Sequence, residues 1–167
     1  MRSDRIERRY DHRPGTRTGS SGRTLVLVDI ENLAGNGRLT PTATRDTATL
    51  VQAAIPAVDT QVIVACNKLN VVNVMFDWPD ARILVGLGPH AADLALIDAI
   101  NHENVEARFA RVIIASGDGI FAEPAARLAA TGIDVTVLIG YGGLSHRLRL
   151  AAHTVERLER DVVAVSA

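Results

Sequence analysis

Cysteine is almost missing from the 167-residue chain, which has only Cys66. One cysteine forms no internal disulfide, so a disulfide-stapled secreted fold and a zinc site built on a cysteine cluster are both excluded. No apolar run approaches the roughly 20 residues that span a bilayer, and the N-terminal MRSDRIERRY lacks the apolar segment of a signal peptide. We therefore expect a protein of the cytoplasm.

Aromatic residues are also scarce, at 4% of the chain. Three phenylalanines, one tryptophan and two tyrosines give little support for a base-stacking platform of the usual single-strand-binding kind. Phe109 and Phe121 are expected in the core. Trp78 is the one aromatic residue worth testing against RNA, although packing across its loop is the simpler expectation.

Positive charge is concentrated at the N-terminus. Residues 1–23 hold seven arginines against Asp4, Glu7 and Asp11, which gives this segment a net charge of +4 and leaves −5 for the rest. With Pro14, Gly15 and the run GSSG, the pattern predicts a flexible arginine-rich arm over 1–23, followed by one domain over 24–167. The sequence leaves open whether the arm lies along phosphates or has no partner.

From residue 24 onward, short β-branched runs alternate with stretches of helical spacing, which is typical of a parallel sheet with crossover helices. Predicted strands cover 24–29, 60–66, 81–86, 111–116 and 134–139. A first helix is expected to begin with Thr40 as its N-cap and Pro41 as its first residue, and its inner face would carry Leu50, Val51, Ala54 and Ile55. Further helices are expected to begin near Ala91 and after Gly119. Strands this apolar are covered on both faces, so we predict an α/β fold: a three-layer α/β/α sandwich with a central, mostly parallel sheet.

Acidic residues stand where the predicted strands end. Asp29 closes the first strand, Asp118 follows the fourth, and Asp93 lies in the first turn of a helix after the third. Carboxyl ends of parallel strands meet at one edge of the sheet, so these three acids are expected to converge there. Asp118 also suits a helix N-cap and Asp93 suits a helix dipole, whereas an unpaired Asp29 in an apolar strand would be costly.

Converging carboxylates either take up protons or bind a cation. Oxygen ligands without clustered cysteine or histidine favour Mg²⁺ or Mn²⁺, and such ions commonly act on phosphates. Asp98 is a further candidate ligand, but it lies about 140° around the helix from Asp93 and is expected to face solvent.

Four segments carry a family resemblance: LVLVDIENLAG, GPHAADLALIDAI, VIIASGDGIFAEPAARLAATGIDVTVLI and GGLSHRLRLAA. In order and spacing they resemble the NYN domain family, a branch of the PIN-like metal-dependent ribonucleases, over most of residues 24–158. The resemblance implies an RNA substrate and catalytic roles for Asp29, Asn32, Asp93 and Asp118, with the three aspartates holding the metal. Many members carry a second aspartate after SGD where this chain has Ile120, which disfavours a two-metal centre and implies weaker catalysis, while Asp29, Asp93 and Asp118 still imply one tightly held ion.

Candidate RNA contacts come from two further segments. Asn67 and Lys68 follow the second strand at the same edge of the sheet. In LSHRLRLAAH, Ser145 matches a common serine of the family. Helical spacing places His146, Arg149 and His153 on one basic face, and Arg147 and Arg149 are candidates to bind phosphates. A solvated helix face is the default explanation of that segment.

Other classes of function remain to be weighed. A catalytically weakened RNA-binding or regulatory module is the main alternative, and Ile120 motivates it. Aspartyl-phosphate chemistry would need a lysine beside the acids, and Lys68, the only lysine, follows the wrong strand. A dinucleotide site is disfavoured because DIEN, rather than a glycine fingerprint, follows the first strand.

Overall fold

Residues 22–159 are described by the computed structural model. The arginine-rich arm predicted over 1–23 therefore lies outside the described residues, apart from its last two. The strands are β1 (Thr24–Asp29), β2 (Thr60–Asn67), β3 (Arg82–Gly86), β4 (Arg111–Ala115), β5 (Asp134–Ile139) and β6 (Thr154–Arg157). The helices are α1 (Ile30–Ala34), α2 (Pro41–Ala54), α3 (Val71–Asp77), α4 (Ala91–His102), α5 (Val105–Arg108), α6 (Ala122–Ala130) and α7 (His146–Ala151).

All six strands form one parallel sheet in the order β3-β2-β1-β4-β5-β6. Alternate residues of each central strand face opposite sides, so Leu25 and Leu27 enter one core while Val26 and Val28 enter the other. Helices α1 to α3 cover the second core, and α4 to α7 cover the first. The predicted α/β three-layer sandwich is confirmed. Strand β1, which ends in Asp29, lies beside β4, which precedes Asp118.

Helix α2 begins as predicted, because Thr40 accepts a hydrogen bond from the amide of Ala43 at 3.1 Å and Pro41 follows. Its inner face differs from the prediction. Val51 is buried, but the other buried positions are Thr44, Thr47 and Ala48, whereas Ala54 is exposed and Ile55 lies beyond the helix. The two threonines can be buried because their hydroxyls donate to backbone carbonyls four residues earlier.

The sixth strand is absent from the prediction, which assigned one helical segment to LSHRLRLAAH. Helix α7 ends at Ala151, and His153, expected on the basic helix face, instead leads into β6 and accepts a hydrogen bond from the amide of Val135 at 3.0 Å. β6 pairs with β5 from Thr154 to Arg157. It is a short edge strand with its outer residues exposed, so it carries no long apolar signal.

Candidate acidic site

Asp29 lies at the junction of β1 and α1, and it is only 3% exposed. Its Oδ1 accepts a hydrogen bond from the amide of Asn32 at 3.2 Å, which caps α1. Its Oδ2 accepts a bond of 3.0 Å from the hydroxyl of Ser116, the residue after β4. The carboxyl group is thus fixed between two neighbouring strands.

Asp93 brings a second carboxyl group to Asp29. It lies in the first turn of α4, and its carboxyl group is close enough for its charge to act on Asp29. Burial, and next the charge of Asp93, raise the pKa of Asp29 to about 7. Nδ1 of the exposed His90 lies 3.5 Å from Oδ2 of Asp93. Asp29 therefore holds a proton readily near neutral pH, because its carboxyl group is buried beside a second carboxyl group.

Asp118 reaches this pair through its backbone. Its amide donates to the hydroxyl of Ser116 at 3.2 Å, while its Oδ1 accepts from the amide of Ile120 at 3.0 Å and caps a short 3-10 helix, Gly119–Phe121. Asp98 lies elsewhere: its side chain is exposed and its Oδ1 is 3.0 Å from Nδ1 of His102. Over residues 22–159, no group of three or more His, Cys, Asp or Glu side chains is arranged to hold a metal ion.

Asn32 connects the acids to a glycine-rich loop. Its Oδ1 accepts a hydrogen bond from the amide of Gly117 at 2.9 Å. A side chain at Gly117 would overlap the carbonyl oxygen of Gly143, and one at Gly142 would approach the carbonyl oxygen of Asn32 to 2.8 Å. The loop over residues 140–143 therefore packs backbone against backbone beside the site, and Ser145 continues the contact by donating its amide to Gly117 at 2.9 Å.

A second polar cluster lies beside the acidic site and is centred on Asn70, which is fully buried. Asn70 donates to Oε1 of Glu31 at 2.6 Å and accepts from the amide of Leu39 at 2.9 Å. The amide of Asn67 donates to the same Glu31 oxygen at 2.8 Å, and the Asn67 side chain donates to Gly37 at 2.6 Å. Burial raises the pKa of Glu31. These bonds join α1, the loop after it and the end of β2.

The remaining sequence candidates are distributed around this edge of the sheet. Lys68, Arg147 and Arg149 are exposed, and Ser145 is half-buried as the residue before α7. Trp78 is buried, as the packing interpretation expects, and its indole nitrogen has no hydrogen-bond partner within the described part of the chain. Phe109 and Phe121 are in the core as predicted.

Burial raises the pKa of Cys66 to about 11.

Sequence reasoning overlooked three residues of this region. The sequence does not distinguish Asn70 as a buried residue, because a polar residue after a strand is typical of an exposed turn. Ser116 was recognised as the end of β4 but not as a partner of Asp29, although its place beside Gly117 and Asp118 was a usable signal. Tyr141 is 65% exposed within the glycine-rich loop, with its amide bonded to the carbonyl of Leu33 at 2.9 Å.

No protein-family model and no curated protein matches the sequence. The fold is similar to the crystal structure of a protein of unknown function from Vibrio parahaemolyticus, with a TM-score of 0.58 and 15% sequence identity over 87% of this chain and 98% of that one. This likeness supports the α/β sandwich and carries no information on activity. Across residues 22–159, every helix is too short or too polar to cross a membrane.

Proposed function

We propose that the protein is a cytoplasmic metal-dependent ribonuclease whose acidic site is built on Asp29 and Asp93. One observation carries the proposal: the carboxyl groups of Asp29 and Asp93 lie together at the carboxyl edge of a parallel sheet, and that of Asp29 is almost fully buried. Open α/β sheets bind their ligands at this edge. The resemblance of the sequence to NYN-type ribonucleases supports the same function.

The residues at the edge fit a hard divalent cation held by two carboxylates, since such a cation would offset the repulsion between the two charges and would displace the proton of Asp29. Asp29 and Asp93 would hold it, and Asp118 is the candidate for a third contact. Bound there, Mg²⁺ or Mn²⁺ would lower the pKa of a water molecule and stabilise the leaving oxygen of a phosphodiester. Asn32 anchors its Oδ1 on Gly117, which turns its Nδ2 into a fixed donor for a phosphate oxygen.

Exposed cationic side chains supply contacts for the RNA backbone in this proposal. Lys68 follows β2 at the edge that carries the acids, and Arg147 and Arg149 lie on α7. α7 begins immediately after Ser145, which is bonded to Gly117. The guanidinium groups would bind phosphates, and Tyr141, on the adjoining loop, would contact a base.

An RNA-binding module without catalytic rate is the alternative. Ile120 favours it, because an apolar side chain stands where related sequences carry another acid. The carboxylate of Asp118 caps the amide of this same residue. A site limited to Asp29 and Asp93 would hold a cation less firmly than three or four carboxylates do.

Cleavage of a mixed panel of structured and single-stranded RNAs tests the proposal, in Mn²⁺, in Mg²⁺ and in EDTA. We expect cleavage that requires the ion and is lost in Asp93→Asn. Asp98→Asn is the matched control, because it removes an acid from the same helix at an exposed position paired with His102. Equal loss in both variants, or cleavage in EDTA, contradicts the assignment. RNA binding without cleavage in any metal selects the alternative.

A further inference from the structure

The exposed large hydrophobic residues are unevenly distributed over the described chain. Seven of the ten lie between residues 69 and 94, on α3, β3 and the segments beside them. These seven, termed here the edge patch, are Leu69, Val72, Met75, Phe76, Val85, Leu87 and Leu94. Isolated exposed hydrophobic residues are ordinary, whereas a concentration on adjoining elements marks an interaction surface.

The edge patch surrounds the open edge of the sheet. β3 is the terminal strand of the order β3-β2-β1-β4-β5-β6, so its outer backbone groups have no strand to pair with among residues 22–159. Val72, Met75 and Phe76 have the helical spacing of a single face of α3, which packs beside β3. Leu94 lies on α4, which covers the other face of the sheet. An apolar open edge of this kind is a template for pairing with another strand.

We propose that a second copy of this chain covers the edge patch, with β3 pairing antiparallel to β3 of the partner around a two-fold axis. Rotation by 180° places the same edge of each copy against the other, which makes the patch self-complementary. It also joins the two sheets and brings the α3 helices together on one face. We assign a second copy as the partner because a two-fold rotation pairs the open strand β3 with its counterpart. The same rotation brings the exposed apolar side chains on both faces of the sheet against those of the other copy.

The area of the edge patch agrees with a stable dimer. From their fractional exposures, the seven residues present on the order of 800 Å² of surface, and a standard interface buries roughly 800 Å² per partner. Over residues 82–88 the one charged side chain is that of Arg82, which is ion-paired with Glu103, so pairing buries no unpaired charge from this stretch. Aromatic and methionine side chains such as Phe76 and Met75 are also enriched in interfaces.

Pairing at β3 would have a consequence for the acidic site. β3 ends at Gly86, the chain then passes through Leu87 and His90, and α4 follows with Asp93 in its first turn. The interface would therefore fix the segment between β3 and α4, which positions Asp93 at the acidic site. This proposal is independent of the ribonuclease assignment, since an inactive protein would pair in the same way.

Molecular mass in solution, measured by light scattering and sedimentation over a range of concentrations, tests the proposal on the full chain. We expect the mass of two chains for the wild type and a shift toward one chain in Phe76→Asp. The affinity between the two chains should fall by about 30-fold or more, as loss of an interface anchor implies. Leu150→Asp is the matched control, because Leu150 is similarly exposed but lies on α7. It should remain a dimer.

Two results overturn the proposal: a monomeric wild type at about 100 µM, a concentration well above the micromolar range of weak specific pairs, or a dimer that persists in Phe76→Asp. Val72→Lys is a second variant on the same face of α3, so the test does not depend on one substitution. Circular dichroism shows whether each variant is folded. Both side chains are exposed in the monomer, so we expect both variants to fold.

Discussion

The hydroxyl of Ser116 donates a hydrogen bond of 3.0 Å to Oδ2 of Asp29, linking the ends of β4 and β1 across 87 residues of sequence. The same oxygen of Ser116 accepts from the amide of Asp118 at 3.2 Å. One hydroxyl thus connects the buried acid to the loop that carries another acid. The candidate site is a hydrogen-bonded unit in which the loss of one group affects the others.

Replacing Ser116 by alanine should raise the pKa of Asp29 further, because the hydroxyl bond stabilises the charged carboxylate. The acidic limb of the pH–rate profile should shift to higher pH, and stability should fall by about 1–3 kcal/mol as the amide of Asp118 loses its acceptor. Thr49→Ala is the control, because it removes an exposed hydroxyl that bonds only within α2, away from the acidic site. An unshifted pH profile in Ser116→Ala would show that the bond does not control Asp29.

Asp29→Asn should make the protein more stable above neutral pH. The pKa of Asp29 is raised from 3.8 to about 7, so the folded state binds this proton more tightly than the unfolded chain does. Its contribution to the free energy of unfolding is complete below about pH 4 and is lost as the pH rises to 7, on the order of a few kcal/mol. Asparagine keeps the cap on α1 and has no charge to lose.

Urea unfolding of the wild type and Asp29→Asn at pH 5 and pH 8 measures this effect. The difference in stability between the two proteins should change in favour of the variant as the pH rises, while groups common to both cancel. A difference that is constant with pH would mean that the carboxyl titrates alike in the folded and unfolded chains.

Asn70→Ala should destabilise the fold without removing an acidic side chain. Its amide satisfies Oε1 of Glu31 and the backbone of Leu39, and both partners would lose a buried hydrogen bond. We expect a loss of about 2–4 kcal/mol in chemical denaturation, since unsatisfied buried groups cost about 1–3 kcal/mol each. Asn73→Ala, which removes a longer bond to Leu39 at 3.4 Å on the same helix, should cost much less. Similar losses in the two variants would contradict a central role for Asn70.

Tyr141→Ala should weaken binding of short single-stranded RNA by about 5- to 150-fold, the range expected when one base loses its stacking partner. Fluorescence anisotropy with a labelled oligonucleotide measures the change. Val58→Ala is the control, since Val58 is an exposed apolar residue before β2, outside both the acidic edge and the edge patch. Tyr141→Phe should bind nearly as the wild type does. Unchanged affinity in Tyr141→Ala would exclude a stacking role.

The sheet could be predicted because its central strands are apolar on both faces. The positions of Asp29 and Asp118 after neighbouring strands followed from the parallel direction of those strands. The approach of Asp93 to Asp29 depends on the position of α4 over the sheet, and the side chain of Asp118 is directed to its own helix cap, so the sequence did not show that two acids, and not three, come together. β6 was missed because an edge strand of four residues needs few apolar side chains. The inner face of α2 was misassigned because a threonine that bonds its own helix can be buried, and a hydrophobic pattern does not record this.

Asp29 is at once the last residue of β1 and the residue that caps α1. Its carboxyl group cannot rotate without breaking the start of a helix, so its orientation is determined when the chain folds. A ligand that arrives later meets an acid already immobilised, and little of the binding free energy is spent on ordering it. The entropic cost of arranging the site has been transferred from each binding event to a single event, the folding of the protein.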